Sequence, residues 1–365
     1  MNRKTLRSAA PAAAALTLVL GLSACGAANE EPAGSGDSDE GISGTLNGGG
    51  ASSQEAAVAA WQSGFQTANP DATVNYDPIG SGGGREQFLA GGISFAGSDA
   101  HLDDDELAKA LERCGSDIVE VPVYVSPIAI MYNLPGVDEL NLTPKAIGGI
   151  FEGTITSWDD PAIADENPDA DLPSSAITPV HRSDDSGTTE NFTEYLEATS
   201  DGAWSAGAVE TWPVDGGEAA EGTSGVVSAV TNGNGTIGYA DASQVGDLST
   251  ANVQVGDEFV PYSPEAAAAT LDASSPVDGR AETDIALTID RTVDAAGVYP
   301  IILVSYQIAC QTYDDADEAE RVKAWLSYVA SDEGQKASAE GAGSAPLSPD
   351  FASKVQAAVE TISAA

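Results

Sequence analysis

Three stretches of the chain place serine, threonine and glycine where a strand gives way to a helix. They are Gly48-Gly49-Gly50-Ala51-Ser52-Ser53-Gln54-Glu55, Gly80-Ser81-Gly82-Gly83-Gly84-Arg85-Glu86 and His181-Arg182-Ser183-Asp184-Asp185-Ser186-Gly187-Thr188-Thr189-Glu190. At a helix start several backbone N–H groups have no intrahelical acceptor and carry the positive end of the dipole, and glycine lets an anion approach that backbone. A serine or threonine hydroxyl adds a further donor. Each stretch alone also reads as ordinary helix capping, Ser52-x-x-Glu55 being a capping-box pattern. Three together, the third carrying an arginine, describe a pocket for a small oxyanion. Competing chemistries lack their parts. The sequence has two histidines, His101 and His181, neither in a metal-ligand spacing, and no Walker, H-E-x-x-H, EF-hand or G-x-S-x-G pattern, so no metal or cofactor is expected. Gly233-Asn234-Gly235-Thr236-Ile237-Gly238 satisfies G-x-G-x-x-G, but it follows a helical run and precedes a strand, the reverse of a dinucleotide site.

Each of these stretches fits a more specific pattern. The third resembles R-x-D-x-S-G-T. The second, followed by Phe95-Ala96-Gly97-Ser98-Asp99-Ala100, resembles G-S-x-G-G … F-x-x-S-D-A, and the first resembles G-x-G-A-[ST]. In this order and spacing they resemble the PstS family, the periplasmic phosphate-binding proteins of phosphate-specific ABC transporters. Ser52-Ser53 stands where some members carry Thr-Phe, and Asp185 stands where glycine is common. The resemblance implies an α/β, two-lobed periplasmic-binding-protein fold of type II, with two hinge strands and the ligand between the lobes. It also implies phosphate ligands from Ser52, Ser53, Ser81 and Asp99 of one lobe and Arg182, Ser186, Gly187 and Thr188 of the other, with Asp184 orienting Arg182. Arg182 can offer two parallel N–H donors to two phosphate oxygens. Asp99 repels an anion unless that anion has a proton to give, so it accepts the P–OH of phosphate and rejects fully ionised sulfate. The same-class alternative is a receptor for another oxyanion such as sulfate or molybdate, against which Asp99 argues. A secreted phosphohydrolase, or an adhesin that keeps only the fold, has no motif in its favour.

Charge narrows the partners. Residues 1–24 hold three bases (Arg3, Lys4, Arg7) and no acid, so the remaining 341 residues carry 11 bases against 57 acids, a net charge of −46. Such a field repels nucleic acid and the anionic face of a membrane. The N-terminus supplies another route to a membrane. A basic start, the apolar run Pro11–Leu22 and Leu22-Ser23-Ala24-Cys25 read as a secretory signal over residues 1–24 ending in a lipobox-like sequence. Cleavage before Cys25 would expose a thiol for diacylglyceryl attachment, anchoring the protein on the outer face of the cytoplasmic membrane. Residues 25–41, rich in Gly, Ala, Ser and acid, read as a solvated tether.

The folded body must then position the site. Length and a hydrophobic fraction of 42% allow about two domains, and the resemblance implies a monomeric receptor that docks on permease subunits. Helices are expected at Gln54–Ala68, Arg85–Ala90, Leu102–Cys114 and Ala319–Ser331, and a strand at Val74–Asp77 that runs into Gly80-Ser81. Two apolar stretches, Val119–Asn133 and Val298–Cys310, are long enough to pass between domains. Side by side they would form a two-strand hinge, making 42–127 plus 301–365 lobe 1 and 128–300 lobe 2. Cys114 and Cys310 flank these stretches and, in an exported compartment, are expected to pair as a disulfide. The stretches Asp159–Pro173 and Ser263–Thr283 read as surface excursions. Arg85 is expected to pair with Asp77 or Glu86. His181 is expected to pack or face solvent, while His101 lies near enough to Asp99 to line a cleft.

Overall fold

A computed structural model describes residues 41–365, so the signal segment, Cys25 and all but the last residue of the 25–41 tether lie outside the described residues. One nine-stranded sheet runs through the body. Its main path uses β1 (Gly44–Gly50), β2 (Ala72–Asp77), β3 (Phe95–Ser98), β4 (Ile118–Asn133), β5 (Thr178–Arg182), β6 (Glu218–Ala220), β7 (Thr236–Asp241) and β8 (Ile302–Cys310), in the order β2-β1-β3-β8-β4-β7-β5-β6. The short strand Ser249–Thr250 adds to β4.

β4 joins the two halves. From Ile118 to Pro127 it pairs antiparallel with β8, and from Ile128 to Asn133 antiparallel with β7. It is buried from Ile118 through Tyr132, which is why its sequence is largely apolar on both faces, interrupted by Glu120 and Ser126, rather than alternating. The two long apolar stretches do lie side by side. β8, however, begins at Ile302 and not at Val298, so only β4 continues as a strand into the second half.

The triple glycine before Ser52 is strand, not loop, through Gly50. A Cβ on Gly48 would meet the Phe95 ring at 2.2 Å, and one on Gly50 would meet the Gly97 carbonyl oxygen at 1.9 Å. The glycines permit close approach of β3 rather than supplying slack.

Helices follow the strands. A 3-10 turn over Ser52–Gln54 leads into α1 (Glu55–Ala68), whose Ala57, Val58, Trp61 and Phe65 are buried. α2 (Ser81–Leu89) starts four residues before the expected Arg85, because the Gly82-Gly83-Gly84 run is itself helical. α3 (Asp104–Cys114) opens on a capping box in which Asp103 accepts from the Glu106 N–H. In the second half lie α4 (Gly187–Thr199) and α5 (Gly222–Asn232), and α6 (Ala316–Val329) returns to pack Trp325 on Phe65 and Phe95.

Cys114 and Cys310 form a disulfide, with Cα atoms 5.4 Å apart. The 263–283 stretch lies mostly at the surface, as its composition suggested, but it has a helix with a buried inner face. Its helix Pro264–Asp272 buries Ala266, Ala267 and Thr270, and Thr283 donates to the Ile118 carbonyl at 2.6 Å.

Candidate anion-binding site

Four helix starts converge where the two halves of the sheet meet. β1 delivers Ser52 and Ser53, β2 leads to Ser81 at the start of α2, β3 ends at Ser98 just before Asp99, and β5 ends at Arg182 before α4. The fourth start, that of α5, was not singled out in the sequence. Gly222-Thr223-Ser224 follows β6 with the same strand, glycine, hydroxyl grammar as the others.

Asp99 is the centre of the arrangement and only 3% exposed. Its Oδ1 accepts from Ser53 Oγ and Ser305 Oγ, each at 2.6 Å, and its Oδ2 accepts from Thr188 Oγ1 at 2.9 Å. Its N–H donates to Ser81 Oγ at 3.0 Å, and its carbonyl accepts from Asn191 Nδ2 at 2.7 Å. Burial pushes the Asp99 carboxyl up from the ordinary aspartate value, while the hydroxyls of Ser305, Ser53 and Thr188 and the charge of Arg182 pull it back.

Arg182, 2% exposed, is gripped along one edge: Nε donates to Asp184 Oδ1 at 2.7 Å, and Nη2 to Asp184 Oδ2. That grip leaves the Nη1–Nη2 edge as a second planar fork. Burial would raise the Asp184 carboxyl, but the Arg182 hydrogen bonds and charge, with the Gly222 N–H at 3.0 Å, hold it below the usual range. Through Gly222 the ion pair is tied to α5, where Thr223 N–H donates to Ser52 Oγ at 3.1 Å.

The eight residues expected to hold the anion are thus brought to one place. Ser52, Ser53, Ser81, Asp99, Arg182, Ser186, Gly187 and Thr188 are all buried. A Cβ on Gly187 would lie 2.6 Å from Ser81 Oγ. Ser186 caps α4, its Oγ accepting from the Thr189 N–H at 3.1 Å. The Ser52-x-x-Glu55 capping box does not form: Ser52 Oγ instead faces Thr223 Oγ1 at 3.0 Å.

Ser305, Gln54, Thr223 and Asn191 escaped the sequence reading. A signal for Ser305 exists, since Ser305 and Gln307 are polar residues two apart on one face of an otherwise apolar buried strand.

Other residues flank the anion site. Arg85 pairs with neither Asp77 nor Glu86. It reaches Glu106 at 2.9 Å and, across the cleft, both oxygens of Glu210 at 2.7 Å. α2 points the guanidinium away from β2 and toward α3 and the 200–217 loop. His181 stacks on Trp212 with ring centroids 4.8 Å apart and turns its nitrogens to the carbonyls of Arg182 and Gly216. His101 lines a cavity of about 180 Å³ beside Asp99, with Glu190, Asn191 and Tyr306.

Fold and site together define a class, the two-lobed α/β binding proteins that hold a solute at helix starts between their lobes. A family model for a PBP superfamily domain matches residues 35–333. The chain is 37% identical over 324 residues to phosphate-binding protein PstS3 of Mycobacterium bovis (strain BCG / Pasteur 1173P2), covering 87% of this chain and 86% of that one. It is 36% identical over 367 residues to PstS2 of the same strain, covering 96% of each. Among solved structures it is similar to PfluDING, described as a high-affinity periplasmic phosphate-binding protein bound with phosphate. That match has 26% identity and a TM-score of 0.69, over 86% of this chain and 93% of that one. The chain belongs to the PstS family within the PBP superfamily.

Proposed function

We propose that this protein is an extracytoplasmic receptor that binds inorganic phosphate and delivers it to the permease subunits of an ABC importer. The observation that carries the reading is Asp99, a buried carboxylate surrounded by donors. Ser52, Ser53 and Ser81 supply donors from one lobe, and Arg182, Ser186, Gly187 and Thr188 from the other. Asp184 fixes the guanidinium of Arg182. Phosphate keeps a P–OH at neutral pH and donates it to Asp99, while sulfate has no proton to give and meets like charge. The names of the mycobacterial relatives support this ligand over sulfate or molybdate.

The lobes divide as 42–127 plus 301–365 and 128–300, with the crossing at Pro127–Ile128, where β4 changes partner from β8 to β7. A ligand touching both lobes stabilises their closed arrangement, which a permease can sense. The role is binding rather than catalysis, in a monomer held by a lipid on Cys25 at the outer face of the cytoplasmic membrane. No helix among the described residues is long and apolar enough to cross a membrane.

Calorimetry is expected to show one phosphate site that excess sulfate does not displace. Asp99→Asn should narrow the gap between the two anions, and equal competition by sulfate in the unaltered protein would sink the assignment.

A further inference from the structure

Behind Asp99 runs a chain of buried polar side chains, none of them among the residues expected to hold the anion. Trp325 Nε1 donates to Gln307 Oε1 at 3.3 Å, Gln307 Nε2 to Gln54 Oε1 at 2.8 Å, and Gln54 Nε2 to Ser305 Oγ at 2.6 Å. Ser305 Oγ then meets Asp99 Oδ1 at 2.6 Å. Trp325, Gln307, Gln54 and Ser305 are all fully buried, on three separate elements: α6, β8 and the turn before α1.

The chain has a direction, and elementary donor chemistry sets it. An indole N–H can only donate, so the Gln307 atom facing Trp325 is its carbonyl oxygen, and its amide nitrogen faces Gln54. The second Gln54 Nε2 proton goes to the Tyr306 carbonyl at 2.9 Å, an acceptor only, which fixes the Gln54 amide in the same sense. Ser305 therefore receives a proton from Gln54 and has one of its own to give. Its other acceptor, the Ser98 carbonyl, is 3.4 Å away, against 2.6 Å for Asp99. Ser53 and Thr188 can rotate their hydroxyls, whereas the Ser305 hydroxyl is pinned.

We propose that Ser305, oriented by the Trp325-Gln307-Gln54 relay, is a specificity-determining positioning residue that keeps Asp99 an acceptor. A protonated Asp99 would need an acceptor for its own proton, and the relay aims a donor at Oδ1 instead. This rests on the reading that Asp99 selects phosphate, and adds what holds Asp99 in the selecting state within a site whose burial favours the opposite. Sulfate reports the difference cleanly, because only a protonated Asp99 can donate to it.

The test measures sulfate and phosphate affinity by calorimetry from pH 4 to pH 8 in the unaltered protein, Ser305→Ala and Trp325→Phe. Losing a hydrogen bond to a charged group is expected to move the pH at which sulfate begins to bind upward by about one unit in Ser305→Ala, a roughly tenfold gain in sulfate affinity at fixed pH. Trp325→Phe removes the N–H that sets the direction, along with part of the ring packed on Phe65 and Phe95, and is expected to move the onset the same way by less, which keeps the test open should Ser305→Ala not fold. A purely structural role would weaken both anions together with the onset unmoved, and that result in either variant overturns the proposal. Asp99→Asn separates the layers. It is expected to bind sulfate at every pH, and unchanged selectivity there would defeat the reading of Asp99 itself rather than the relay.

Discussion

Gly187 has no side chain where one could not fit. A Cβ there would stand 2.6 Å from Ser81 Oγ and 2.8 Å from Asp99 Cβ, atoms carried by the other half of the sheet. Its φ is not in the left-handed region, so alanine costs the backbone little and acts only when the halves meet. Gly187→Ala is therefore expected to lower phosphate affinity at least tenfold by wedging the cleft, with the thermal midpoint of the phosphate-free protein lowered far less than the affinity. Calorimetry and thermal unfolding on the same samples check this, and an unchanged affinity would show that the halves need not approach so closely. At this scale the sequence was readable wherever the chemistry is contiguous. Arg182 to Thr188 run from a strand end through one loop into a helix start, and Asp99 directly follows a strand with its motif around it. It was silent where partners are distant in the chain: Gln54 and Ser305 lie 251 residues apart, and Ser52 and Thr223 lie 171 apart.

Elements, more than single residues, set how the two halves lock. Arg85 projects from α2, which begins at Ser81, and meets Glu210 of the 200–217 loop. Beside that loop, Glu190 stands in the first turn of α4, which begins at Gly187. Burial pushes the Glu190 carboxyl up to about 8, with the like charge of Glu210 adding to the rise and Arg85 opposing it. The folded protein thus holds a proton at this site that the unfolded chain releases near the ordinary glutamate value of 4.5. Where the native state binds more protons than the unfolded one, stability falls as pH rises, here across the window from about 4.5 to about 8, and the loss levels off above it. Thermal midpoints measured from pH 5 to pH 9 are expected to show this decline, and Glu190→Gln to flatten it; a variant that keeps the full slope would place the proton elsewhere. The helix containing Glu190 could be read from its Ser-Gly-Thr start, and β4 from its long, largely apolar run. Glu210 could not, because nothing in an acidic loop says which acid crosses a cleft. The early start of α2 was hidden for a different reason: Gly82, Gly83 and Gly84 have poor helix propensity, and packing overrides it, a Cβ on Gly84 meeting Gly50 Cα at 2.4 Å.

The whole molecule opposes the ligand that its cleft accepts. A net charge of −46 on residues 25–365 surrounds a site whose own field comes from helix starts and Arg182. The two act over different distances. Contacts inside a dry cleft are little screened, whereas the field of exposed acids extends about 10 Å at 0.1 M salt and about 3 Å at 1 M. An approaching phosphate is therefore repelled on the way in and held once inside, so salt should act on its arrival more than on its escape. Stopped-flow measurements on a cleft-adjacent reporter, with Trp212 stacked on His181 serving as the intrinsic fluorophore, are expected to show the association rate rising with sodium chloride. The dissociation rate should change much less. This is the opposite of the salt dependence of a steered anion receptor. An association rate that falls with salt would mean that the local positive field around Arg182 extends past the rim and outweighs the acids there.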